Sequence, residues 1–436
     1  MSGAAGHGGT EAARAPWPLL GALALGLAVS ITLAQTVLAL LALRWLWRLG
    51  TGRARPGWPL AAPVLAFVAA TLLAALVAPR PLDGLAAARG VLLIAAFYVL
   101  RDALPDAGAA DRFLGWLLAL GGFLGVLAAL QVGLCPWLEA GAPWLGRLAR
   151  KCHRAHAFFS IWMTLAGVLS LVLLATLPRH LLGNLDGAAH RRGWRGRWPA
   201  AGWLLAGVGL ALTYVRGAWL GFLVGVAVLL GLVRRGRWLV VGAVAALALG
   251  VALTPPLRQR AESIVDPSDP TARERWTMWR AALAMARAHP LTGVGPGGVS
   301  RVYARYAEPG ARVRGHVHNT PLQILAESGA VGLGAWLALF VTFFWRAAQV
   351  LRALPLEDAR GRALVAGSIA AIAGFLVGGL TEHNFGDSEV VMVAYVVMAV
   401  PFVVAGAPAP AGGARPARSG RSGTGPCGTE PATSRS

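Results

Sequence analysis

Long apolar stretches without a charged residue recur along this chain, and no other feature constrains its fold as strongly. They run Pro59–Ala78, Phe113–Leu134, Ala157–Pro178, Trp198–Val215, Gly217–Val233, Trp238–Leu257, Ser328–Trp345, Ala363–Thr381 and Val390–Gly413. Most reach the ~17–25 residues that a helix needs to cross a ~30 Å hydrocarbon layer. Gly90–Leu100 is shorter and is extended by its Ala-rich flank. In lipid every backbone polar group must be satisfied internally, so only helices and closed barrels span it; the alternation of barrel strands is absent here. Charged residues make up 14% of the chain, against roughly a quarter in soluble domains. The expected fold is therefore all-α, a polytopic membrane protein of about twelve helices.

The N-terminal region needs separate treatment. Arg14 precedes an apolar run, and Thr32-Leu33-Ala34 resembles a signal cleavage site. The run continues unbroken to Trp47, which favours an uncleaved anchor. Pro16–Leu49 is long for one span and short for two, so a tight hairpin of short helices is expected.

Positive charge orients the spans. Arg179, Arg191, Arg192, Arg195 and Arg197 fill one loop, Arg234, Arg235 and Arg237 a second, and Arg346, Arg352, Arg360 and Arg362 a third. An even number of spans separates each from the next, so all three can lie on the cytoplasmic side. Tyr214–Ala218, Arg258–His318 and Glu382–Glu389 then face outward, and the Gly/Pro/Ser-rich tail with Arg415–Arg421 returns to the cytoplasm. The domain organisation that follows is an N-terminal tail (1–16), transmembrane helices (17–257), a large outer loop (258–318), further transmembrane helices (319–407) and a disordered cytoplasmic tail (408–436). The net charge of +21 sits between the spans, without the basic stripe and interleaved aromatics of a nucleic-acid reader.

Two outer segments break the charge rule. Arg258–His318 carries ten arginines against five acids and ends in His316 and His318. It reads either as a solvated loop with local ion pairs or as an anion site, guanidinium forks being suited to phosphate oxygens. Cys135–His156 holds Arg147, Arg150, Lys151 and Arg154, with Cys135 and Cys152. In an oxidising compartment that pair could close a disulfide; two free thiols are the alternative. The third cysteine, Cys427, lies in the tail.

Against the apolar background, Val317–Gly332 stands out. His318 and Asn319 sit at the lip of a helix with Pro321 in its first turn, and Glu327 falls about two turns further in. An ionisable group at that depth normally faces a polar cavity, and a helix N-terminus favours an anion. The plainer alternative is an interfacial histidine with a polar cap and a glutamate paired to an arginine. Arg216, within Tyr214–Gly221, lies between two spans and reads as a snorkelling side chain or as one tucked between helices. Arg275 and Trp279 share a helix face by their spacing. The run Gly293-Val294-Gly295-Pro296-Gly297-Gly298 has no strand before it, which argues against a dinucleotide site; a flexible outer turn is expected. Asp266 and Asp269, beside prolines, read as turn residues.

The spacing His318, Asn319, nine residues, Gly329, two residues, Gly332 resembles the signature of the O-antigen ligase family at each position. Arg216-Gly217, followed by a small-residue helix, is similar to a second feature of that superfamily. Arg275–Trp279 and the Pro-Leu-x-Gly-x-Gly run Pro290–Gly295 are similar to its large outer loop. The resemblance covers roughly Arg154 to Val400. It implies a metal-independent membrane glycosyltransferase without a cofactor. Such an enzyme moves a glycan from undecaprenyl diphosphate to an acceptor hydroxyl, such as lipid A-core, at the periplasmic face of a bacterial inner membrane. His318 would then be the general base, and Arg216 with Arg275 would hold the diphosphate, Arg280 being the alternative to Arg275 and Asn319 a further contact. Glu382, His383 and Asp387 would line the acceptor side, or form a plain interfacial turn. Polymerases and pilin oligosaccharyltransferases of the superfamily share these motifs. A secondary transporter is the rival from another class; no internal repeat supports it.

The orientation is testable by labelling. In a Cys427→Ser background, cysteines at Ser300 and Ser388 should react with an impermeant thiol reagent added to intact spheroplasts, and one at Ala353 should not. Labelling at Ala353 would invert the topology.

Overall fold

The computed structural model describes residues 15–54, 57–137, 151–182, 194–232, 237–262 and 269–406, and among them every regular element is helical. In chain order the helices are α1 (Trp17–Val29), α2 (Ile31–Gly50), α3 (Ala61–Val77), α4 (Pro81–Ala88), α5 (Ala95–Ala103), α6 (Ala107–Gly133), α7 (Trp162–Leu182) and α8 (Trp194–Leu212). There follow α9 (Arg216–Leu232), α10 (Arg237–Leu253), α11 (Pro255–Glu262), α12 (Pro270–Ala288), α13 (Gly298–Tyr306), α14 (Thr320–Ala353), α15 (Ala359–Gly378) and α16 (Ser388–Gly406). Among the described residues six segments are long and apolar enough to cross a membrane: Pro81–Ala103, α6, Trp162–Arg179, α14, α15 and α16. Four shorter apolar helices accompany them: α1, α3, Trp198–Leu212 and α9.

The hairpin expected for Pro16–Leu49 is present. Ser30 is extended, so the chain reverses there, and its hydroxyl accepts from the Leu33 N–H that opens α2. The two ends pack on α5 and α6, Trp17 edge-on against Trp116 of α6 and Arg48 donating to Asp102 of α5 at 2.6 Å. The same end of the bundle carries the Arg179–Asp111 ion pair at 3.0 Å. Arg191, Arg192, Arg234, Arg235, Asp266, Arg415–Arg421 and Cys427 lie outside the described residues.

At the centre stands α16, apolar on every side and buried along almost its whole length among α5, α7 and α15. A helix hydrophobic all round belongs in such a position. Next to it α9 crosses α15 at close range. A Cβ on Gly221 would meet the Gly374 carbonyl oxygen at 2.4 Å, so only glycine permits this separation. The crossing presses the first residue of α9, Arg216, toward the turn that follows α15.

The second shaping feature is a break in α14. Gly329 has φ 63° and ψ −165°, and a Cβ there would lie 2.2 Å from the Leu291 carbonyl carbon. Breaking a helix frees backbone groups that must find partners. Ala330 N–H donates to Pro290 O at 2.8 Å, and the Ala326 and Glu327 carbonyls accept from Val294 and Gly295 N–H at 2.8 and 2.9 Å. Glu327 accepts from Gln323 at 2.9 Å and from the Gly297 and Val299 N–H groups, anchoring the first turn of α13. The glycine run is therefore no flexible turn. It is docked onto the helix break, and Glu327 accepts hydrogen bonds from these groups while Arg301 adds a longer-range attraction. Cys135 and Cys152 form a disulfide with Cα atoms 5.2 Å apart, which selects one of the two readings of that pair.

Candidate functional site

Four segments meet at the end of the bundle opposite the Arg48–Asp102 and Arg179–Asp111 pairs: the starts of α9 and α12, the lip of α14 and the turn after α15. His318 is the residue on which they converge. Its φ of 47° places it in the left-handed region, a strain of order ~1–3 kcal/mol that persists only where neighbours dictate it. They do so here. Val317 N–H donates to Gln323 Oε1 at 2.9 Å, and Thr320 N–H to Gly379 O at 2.7 Å. Asn319 caps α14 by accepting from Leu322 N–H at 2.9 Å while its own amide donates to Leu380 O at 2.8 Å. Both ends of that amide are thus engaged in the fold.

Held this way, His318 Nδ1 lies 2.8 Å from Glu382 Oε2, and Arg275 Nη2 donates to Glu382 Oε1. An ionised carboxylate only accepts, so Nδ1 is the nitrogen that donates to it, and in the neutral imidazole Nε2 is the acceptor. An imidazole, a carboxylate and a guanidinium thereby stand in one chain built from residues 64 and 107 positions apart in sequence. Arg280, five residues beyond Arg275, points elsewhere; it pairs with Glu308 at 2.7 Å on the surface, where the two are 69% and 54% exposed.

Beside this chain lies an arginine-rich groove of about 850 Å³ whose lining includes His153, Arg154, Tyr214, Arg260 and Asp269. Arg216, buried, pairs with Asp269 at 3.2 Å through both guanidinium nitrogens. Burial opposes ionisation of Asp269, yet the hydrogen bonds from Arg216 and Thr271 outweigh it and hold the carboxyl at about 2. Tyr214 is left-handed too, with φ 56°. Its carbonyl accepts from Arg154 at 3.0 Å and from Arg260 at 3.3 Å, and Arg154 also donates to Thr213 O at 3.1 Å. Burial first, and Arg260 next, bring Arg154 down to about 10, with Arg216 and Arg275 acting in the same sense and Glu382 against it. Four guanidiniums crowd one another around two carboxylates, an arrangement that attracts an anion.

The turn after α15 is fixed by Phe385, whose ring packs among Phe67, Trp336, Phe340, Phe375 and Tyr395. That anchor positions Glu382 on one side. On the other, Asp387 accepts from Thr164 at 2.5 Å and from the Val390 N–H of α16. His383 faces a histidine cluster: His316 lies 4.4 Å from His318 and 5.9 Å from His383, ring centre to ring centre. Burial, then the neighbouring His316 and His318, push His383 down to about 3, and burial with His318 lowers His316.

Sequence reasoning missed Arg154 and Arg260 as members of the site and read Asp269 as a turn residue only. Arg154 had one signal, a cationic outer segment that violates the charge rule. Asp269 had another, Asp-Pro opening an amphipathic helix, which fits its role as N-cap of α12.

Residues 200–337 match a family model described as O-Antigen ligase. The match takes in Arg216, Asp269, Arg275 and His318–Gly332, and leaves out Arg154 and Glu382. No curated protein matches the chain.

The histidine cluster predicts a pH dependence of stability. His316 and His383 are held neutral below the usual unfolded value of ~6.5. Their contribution is therefore present above that pH and is lost as pH falls through it toward about 3. The melting temperature in detergent should drop between pH 7.5 and pH 5, and His383→Gln should flatten part of that slope. A slope unchanged in the variant would mean that the proton uptake occurs elsewhere.

Proposed function

We propose that this chain, whose residues 200–337 match an O-Antigen ligase family model, is a glycosyltransferase of the O-antigen ligase/polymerase superfamily that uses an undecaprenyl-diphosphate-linked glycan as donor. Its acceptor is a hydroxyl of lipid A-core, reached at the periplasmic face of the inner membrane. The reading rests on one observation above the others: the Glu382 carboxylate joins the His318 imidazole to the Arg275 guanidinium beside an arginine-lined groove. A chain of about twelve spans with the long loop in the periplasm is the topology that goes with it.

The chemistry follows from the tautomer. His318 Nε2 takes the proton of the acceptor hydroxyl as its oxygen attacks the anomeric carbon. The bond from that carbon to the diphosphate oxygen breaks, and the electron pair leaves with undecaprenyl diphosphate. Glu382 stabilises the imidazolium that forms, as a carboxylate behind a catalytic histidine does. Arg216 and Arg275 neutralise the charge growing on the leaving group, with Arg154 and Arg260 adding to the same field. The preformed diphosphate supplies the driving force, which suits a compartment without nucleotide sugars. A donor anchored in lipid also needs a site at headgroup level and open to the side, a requirement that a groove at the end of the helices can meet.

The test uses purified protein, lipid-linked glycan and three acceptors: lipid A-core, lipid-linked repeat unit and a pilin peptide. Product on lipid A-core alone is expected; product only on another acceptor would reassign the enzyme within the superfamily. His318→Ala should lower turnover by ~10²–10⁴ with normal membrane abundance, and Glu382→Gln by up to about 10⁴-fold through loss of the tautomer and orientation. Arg216→Lys and Arg275→Lys should weaken donor binding, because lysine keeps the charge and loses the fork. Substantial activity in His318→Ala would remove the base from this mechanism.

A further inference from the structure

Arg216 meets Asp269 face to face, Nη1 to Oδ2 and Nη2 to Oδ1, each at 3.2 Å. That two-point fork is the geometry a guanidinium presents to the paired oxygens of a phosphate. The two side chains are 9% and 11% exposed, so the carboxylate fills the seat and does not graze it. Asp269 also lines the groove that Arg154 and Arg260 face. It has a second set of partners: Oδ1 accepts from Thr271 and Ala272 N–H at 2.8 and 3.2 Å at the start of α12. A carboxylate anchored there can release the guanidinium without being stranded, since the helix N-terminus still satisfies its charge. A shielded guanidinium such as that of Arg216 for its part requires an anion.

We propose that Asp269 is a resident stand-in for the donor's phosphate, holding Arg216 in its fork geometry while the site is empty and yielding it when a diphosphate enters. The inference rests on the reading of Arg216 as a diphosphate ligand. It makes Asp269 a specificity-determining residue. To displace Asp269, an incoming group has to offer Arg216 more than that carboxylate does, which a multiply charged diphosphate can and a singly charged phosphodiester headgroup cannot. Ambient phospholipid is thereby rejected by competition, a form of discrimination that acts against the wrong ligand. The same competition helps release product, because the carboxylate retakes the guanidinium as the spent carrier moves off.

The experiment titrates full-length protein in nanodiscs with inorganic pyrophosphate at fixed ionic strength, comparing wild type with D269N, D269S, E308Q and R216Q. Asn and Ser both retain an N-cap acceptor, so α12 keeps its start. E308Q removes one carboxylate from the same loop and controls for net charge. D269N and D269S should bind pyrophosphate about tenfold more tightly, equivalent to about 1.4 kcal/mol. E308Q should bind as wild type does, and R216Q should bind at least about tenfold more weakly. If R216Q is weak while D269N and D269S bind no better than wild type, Asp269 is only a helix cap and the inference fails. If R216Q binds as wild type does, Arg216 does not hold the diphosphate, and the underlying reading falls with it.

Discussion

Glu382 is the residue on which the site depends. One of its oxygens meets the His318 imidazole and the other the Arg275 guanidinium, while its own backbone carbonyl accepts from Thr320 at 3.1 Å. Three segments distant in sequence are thereby tied at one carboxylate. A shielded carboxylate carries a large desolvation cost unless paired on both sides, so the two contacts support each other. Loss of the histidine would leave the carboxylate with one partner, and loss of the carboxylate would free the imidazole to turn.

That junction exists because the helices beneath it are held at particular separations. The Gly221–Gly374 approach sets α9 against α15 and brings Arg216 to the level of the turn carrying Glu382. The break at Gly329 then gives the segment after α12 a place to dock through backbone hydrogen bonds, which orients α12 and its Arg275. The loop's glycines serve close backbone contact, and no phosphate-cradling role is needed to account for them. Phe385 completes the arrangement as an aromatic plug under the acidic turn.

Much of this was legible before any coordinates. Uncharged length located the apolar helices, and the Ser30 hairpin followed from a run too long for one helix and too short for two. The spacing from His318 to Gly332 marked the lip of α14 and the glycine at its break. What stayed hidden depends on three-dimensional approach. Arg275 and Arg280 differ by five residues, or roughly 140° around a helix, and only packing decides which one faces inward. Glu382, His383 and Asp387 were equivalent polar residues in a turn until Phe385 fixed which way each pointed. Arg154 was hidden for a similar reason, its place in the groove being set by hydrogen bonds to the Thr213 and Tyr214 carbonyls.

In the proposed mechanism His318 takes a proton from the acceptor and no protein nucleophile lies on the path, so transfer would be a single displacement. The stereochemistry of the transferred sugar therefore tests it most directly. Donor of defined anomeric configuration would be turned over by the purified enzyme, and the new glycosidic bond read by the one-bond carbon–proton coupling at the anomeric centre. Inversion relative to the donor is the result predicted, as in direct displacement on other glycosyl centres. Retention would require a covalent glycosyl-enzyme and would contradict the role given to His318.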